Sequence, residues 1–250
     1  MKSFGPAVHF NSKGLKTVAH ILLERFVRAV PKEFVTRLLE RQQPIYLQSI
    51  AFAFNESWTA TEAKSVLPYV RRGLFESDFR KAGIECGLKT FDMPHVGENC
   101  SCVMIKADGL ILTAHYVDGP GQWVRDAESR KQNTAVNKWL EEFADERLLL
   151  HPLPKLGRKP IYLNLLHGGH FANSNTDSLT IDASTCFLNI AIPEEGSKKY
   201  LCKWSAQEIL LAYATAADAA VAPQAIEDKA QPKKKAQALK AKANLAGNVE

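Results

Sequence analysis

The chain has no apolar run long enough to span a bilayer, so no membrane-crossing helix is expected. Its first residues show no apolar core followed by a small-residue cleavage site, so no secretory signal is expected either. A basic amphipathic start can be an organellar presequence, but Glu24, Glu33 and Glu40 argue against one. Cysteine is scarce: five residues, an odd number, point to free thiols in a reducing, cytoplasmic setting and not to a disulfide framework. Absent too are a Gly-x-x-x-x-Gly-Lys phosphate loop, a Gly-x-Gly-x-x-Gly turn, a His-Glu-x-x-His helix and a Gly-x-Ser-x-Gly elbow. The enzyme classes recognisable from one such motif are therefore unsupported. No repeat occurs at a solenoid period.

What is present is ordinary for a globular chain of 250 residues: 46% hydrophobic and 24% charged residues. The net charge of +5 is unevenly spread. Residues 1–85 carry +5, residues 86–221 carry −3 and residues 222–250 carry +3. Such a layout points the two ends, and not the middle, at anionic partners.

The strongest local signal is Cys100–Val117, two β-forming runs about Asp108-Gly109. A two-residue turn there pairs Ala107 with Leu110, Ile105 with Leu112 and Met104 with Thr113. One face, with Val103, Ile105, Leu110, Leu112 and Ala114, is apolar and predicts the core side. The other face holds Cys102 opposite His115.

Helical spacing predicts helices over 15–30, from Pro31 to about Arg41, over 61–66 and over 67–81, with Pro44 as a break. Glu76 is placed to pair with Arg80. Residues 46–54 fit helix or strand equally. Strands are expected at 88–93, 161–166 and 185–192, and helices at 127–148 and 204–220. Ser205 with Glu208 reads as a capping box, and Thr59 or Thr61 as a helix cap. The fold class is therefore α+β: a helical region over 1–86, a mixed or antiparallel sheet domain with packed helices over 87–222, and an Ala/Lys-rich tail over 223–250. The tail has too few large apolar residues to bury a core and is expected to be disordered.

Three functional readings follow. The favoured one is a nucleic-acid-associated binding or regulatory protein. Arg71, Arg72, Arg80 and Lys81 would face phosphate from the front helices, and Lys233, Lys234, Lys235, Lys240 and Lys242 would add sequence-blind, salt-sensitive affinity. The alternative is a hydrolase at the strand ends. His115, His167 and His170, with Cys102 near, would converge there as bases or as ligands of a zinc ion, and Gly168-Gly169 would let backbone approach a ligand. No established metal spacing is present. The third reading is a protein-interaction subunit without catalysis. The acids of 118–131 do not make a nuclease site: Glu128-x-Arg130 has the wrong cation and falls on a helix, where acids suit the N-terminal dipole.

Overall fold

The computed structural model describes residues 18–54, 58–94, 101–124, 128–141, 159–169, 171–173, 179–181, 186–196 and 199–221. Three helices come first: α1 (Val18–Ala29), α2 (Lys32–Ala53) and α3 (Ala60–Glu85). The meander β1 (Lys89–Pro94), β2 (Ser101–Ala107) and β3 (Leu110–Tyr116) follows. A crossover carries α4 (Glu128–Thr134), a 3-10 turn at Ala135–Asn137 and α5 (Lys138–Glu141). Then come β4 (Ile161–Gly168), the short pair β5 (Phe171–Asn173) and β6 (Leu179–Ile181), β7 (Phe187–Pro193), β8 (Tyr200–Ser205) and α6 (Ala206–Val221). The expected helix over 127–148 is thus interrupted by the 3-10 turn, and residues 142–148 lie outside the described residues, as does the tail.

The main sheet has six strands in the order β1-β2-β3-β4-β7-β8. Only β3 and β4 run parallel. The expected α+β class is correct. The hairpin has the expected register, with Met104, Ile105, Lys106 and Ala107 facing Thr113, Leu112, Ile111 and Leu110. Asp108 and Gly109 both adopt positive φ, 42° and 80°, as a mirror-image turn between twisted strands requires.

Alternation along the strands gives the sheet two unlike faces. Ile105, Leu112, Leu163, Leu165, Ile190 and Trp204 form one core with Phe26 of α1, Phe34 and Leu38 of α2, Phe75 and Phe79 of α3 and Ile209 of α6. The front helices and the sheet therefore share a hydrophobic interior. Gly83 lets α3 approach the sheet: a Cβ there would lie 2.7 Å from side-chain atoms of Ile105 and Thr90.

Pro44 does not break the chain as expected. Pro44 lies inside α2 and Pro68 inside α3, and both helices run through. A proline removes one helical hydrogen bond and crowds the preceding turn. Here the flanking Gln42, Ile45 and Tyr46, and Leu67 and Arg71, are all buried, so packing holds the helix on both sides. Thr59 is the α3 cap: its Oγ1 accepts from the Glu62 N–H, and the Glu62 carboxylate accepts from the Thr59 N–H. Ser205 and Glu208 make the same reciprocal box at the start of α6.

The crossover is joined to the sheet by a side chain. Asn137 Nδ2 donates to the Tyr162 carbonyl at 2.9 Å and the Pro193 carbonyl at 2.8 Å, and its Oδ1 accepts from the Tyr162 N–H at 2.8 Å. The paired register of β4 and β7 ends at Asn164 and Ala191, so this buried amide takes the place of the next rung. Among the described residues no helix is long and apolar enough to cross a membrane.

Candidate functional site

The parallel register pairs Tyr116 with His167 and His115 with Leu166. His167 consequently points to the helix side and His115 to the opposite side. The sheet separates the two histidines that were expected to converge. The strand ends are level, as expected, but the two residues fall on opposite phases of the alternation. His170 lies outside the described residues.

On the helix side His167 is enclosed. Its ring stacks on Phe75 with centroids 3.5 Å apart, and Tyr116 meets it edge-on at 5.9 Å. Nδ1 shares a hydrogen bond with the Tyr46 hydroxyl at 2.7 Å. Burial holds this imidazole well below its ordinary pKa, and the charges of Arg71 and His115 lower it further, so it is neutral. The guanidinium of Arg71 lies 3.6 Å above the Tyr116 ring and 5.6 Å from that of Tyr46. Gln42 closes the group by donating to the carbonyls of Gly168 and Phe187. Gly168 does allow a close approach, but within the chain: a Cβ there would lie 2.2 Å from the Val117 carbonyl oxygen.

On the other side three polar atoms meet. Thr113 Oγ1 is 2.7 Å from His115 Nε2 and 2.7 Å from the Tyr162 hydroxyl, which is 3.3 Å from His115 Nε2. Burial pushes the Tyr162 phenol up to about 12, so it stays protonated and can donate; Asn133 hydrogen-bonds to it and Arg130 lies within its field. Thr113 and Tyr162 are buried, whereas His115 is half-buried. Sequence reasoning found His115 but missed Thr113 and Tyr162. The i, i+2 spacing of Thr113 and His115 signals a shared strand face; the partner across the parallel pair has no local signal.

The cations of the front helices do not make the expected phosphate-facing surface. Arg71 is 3% exposed, because it fills the space between two tyrosines and His167. Arg72 pairs with Glu76, which was expected to serve Arg80, and Arg80 pairs with Asp92 of β1. Lys81 lies in the field of Asp78 and Glu85, the two acids that also bind Arg41, and Glu85 takes Arg37 as well. The arginines stitch α2 to α3 and α3 to β1. The tail lysines at 233, 234, 235, 240 and 242 lie outside the described residues.

Lys89 and Lys106 differ. They are register partners across β1 and β2, both are exposed, and neither is ion-paired with a carboxylate among the described residues. They lie on the same sheet face as His115.

Among the described residues no three His, Cys, Asp or Glu side chains are grouped to hold a metal ion. Cys102 lies within the field of Tyr162, and Cys86, Cys102, Cys186 and Cys202 form no disulfide. No family model, curated protein or solved structure matches the chain.

Proposed function

We propose that the protein is a binding or regulatory protein that associates with nucleic acid, or with a complex containing it. One observation supports this reading above the others. Lys89 and Lys106 face each other, both exposed, with no carboxylate among the described residues paired to either, while the arginines of α3 are buried or ion-paired. The anionic grip then belongs to the β1–β2 surface and to the Lys-rich tail, in place of the front helices. Lysines that neutralise phosphates release counterions, so affinity of this kind falls steeply with salt. Cysteines that form no disulfide among the described residues are in keeping with a reducing, cytoplasmic setting.

The test is the affinity of the full-length chain for a mixed-sequence oligonucleotide at two salt concentrations. Binding is expected to weaken as salt rises. Replacing Lys233, Lys234, Lys235, Lys240 and Lys242 by glutamine should flatten that dependence by up to roughly 4.5 units of log K per log salt, at about 0.9 per duplex phosphate contact. No salt-dependent binding by the wild type would end this reading.

A second reading is a hydrolase using general acid–base chemistry at His115. Its support is the convergence of Thr113 Oγ1, His115 Nε2 and the Tyr162 hydroxyl on the half-open side of the sheet. His115 would act as base, with Tyr162 as proton donor. A screen of ester and phosphodiester substrates with wild type, His115→Ala and Tyr162→Phe decides it. Equal rates in all three proteins would remove it.

A further inference from the structure

The sheet face beside β1 has a composition that goes beyond general affinity for polyanions. Three side chains define it. Lys89 and Lys106 are opposite one another in the antiparallel pair, and Phe91, two residues along β1, lies on the same face. The Lys106 ammonium is 4.8 Å from the centre of the Phe91 ring. Phe91 and Met93 are half-buried, Lys89 and Lys106 are exposed, and β1 is the edge of the sheet. The opposite face of the same strand is used internally, since Asp92 pairs with Arg80 and Thr90 packs against α3 at Gly83.

Like charges placed directly across an antiparallel pair repel. Nothing among the described residues offsets that repulsion with a carboxylate; the Phe91 ring relieves part of it through its contact with one ammonium. An anionic group seated between the two ammonium groups would relieve it further, and it would free the ring face that Lys106 now covers. The exposed product is a cationic pair next to an aromatic face.

We propose that Lys89, Phe91 and Lys106 form a binding site for single-stranded nucleic acid, with a backbone phosphate held between the lysines and an unpaired base stacked on Phe91. This rests on the nucleic-acid reading above and narrows it. A single strand is the occupant that uses both parts. Its phosphate meets the paired charges, and its base can leave the stack to cover a ring, whereas duplex bases are already stacked on one another. The recognition is sequence-tolerant, because every base offers a π-face. Neither the phosphate contact nor the stacking requires a base-edge hydrogen bond.

The experiment compares binding of full-length protein to a labelled mixed-sequence single strand and to the same strand annealed to its complement. The single strand is expected to bind more tightly. Phe91→Leu, which keeps apolar volume, is expected to lose about tenfold in single-strand affinity and to leave duplex affinity unchanged; Phe91→Tyr retains binding. Lys89→Gln with Lys106→Gln is expected to lower the slope of log K against log salt by about 0.7 for the single strand, the value for the one phosphate held between them. If Phe91→Leu binds like wild type while the tail variant loses both ligands, this site is refuted and the broader reading stands. If wild type binds neither ligand, both fall. If the lysine variants bind normally but aggregate, the lysines only guard an edge strand, and the site is likewise refuted.

Discussion

The hydroxyl of Tyr46 and Nδ1 of His167 lie 2.7 Å apart, joining the middle of α2 to the end of β4 across 121 residues of chain. Both groups are buried, so each is the other's replacement for water. Tyr46→Phe leaves a ring nitrogen without this partner in a dry site and is expected to cost about 1–3 kcal/mol of stability, read by urea unfolding at neutral pH. A loss below about 0.5 kcal/mol would mean that the contact is not holding the two elements together.

The same histidine sets a pH dependence. Its folded pKa is depressed by burial first, then by Arg71 and His115, while Tyr46, Tyr116 and Phe75 complete its surroundings. An unfolded histidine titrates near about 6.5. Above that pH neither state takes the proton and the contribution is fully present. Below it the unfolded chain binds a proton that the native site refuses, and stability is lost as pH falls towards the depressed value. His167→Gln is expected to be less stable throughout but to lose less between pH 7.5 and 5.5 than wild type. Parallel declines in urea midpoint would assign the pH effect to other groups.

Two glycines of α3 make a sign test. Helix propensity favours alanine over glycine at both by roughly 0.5–1 kcal/mol. A Cβ at Gly73 meets nothing within 4 Å, so Gly73→Ala is expected to stabilise by about that amount. At Gly83 the added methyl presses on fully buried Ile105 and on Thr90, so Gly83→Ala is expected to destabilise by about 1–3 kcal/mol. Thermal melts of the two variants should move in opposite directions. A gain at both would show that α3 can lift off the sheet freely.

Removing the Asn137 amide abandons the N–H and carbonyl of Tyr162 and the Pro193 carbonyl in a buried joint. Asn137→Ala is expected to cost about 3 kcal/mol or more, from one to three for each polar group left without a partner. Asn137→Asp should not rescue it, since a carboxylate cannot donate to the two carbonyls. Rescue by aspartate in a chemical-denaturation series would count against the hydrogen-bond account.

Local chemistry made part of this structure legible. Asp108-Gly109 specifies a two-residue turn, and alternation then sets the hairpin register and its core face. Ser205 with Glu208 announces a helix start, whereas Thr59 and Thr61 are equal candidates until the Glu62 contact singles out Thr59. What local pattern could not supply was tertiary. Pro44 reads as a stop but is carried by burial on both sides. β8 was missed: its Leu201, Cys202 and Lys203 show no clean alternation, since β8 lies at the sheet edge and only Trp204 is fully covered. Arg71 looked like a surface cation because nothing in α3 reveals Tyr116 above it. His115 and His167 both end strands, as expected, but the phase of the β3–β4 pairing decides which face each one takes, and that phase is set between partners 51 residues apart.

The Asn137 amide also fixes an order of events. It grips β4 and β7 at once, 25 and 56 residues downstream, so its full set of hydrogen bonds needs both strands in place. The complete latch is therefore expected to close late in assembly, after the rate-limiting barrier. Interactions absent from the transition state govern how fast a native chain comes apart. Weakening this latch should therefore shorten the lifetime of the folded protein while barely slowing its formation.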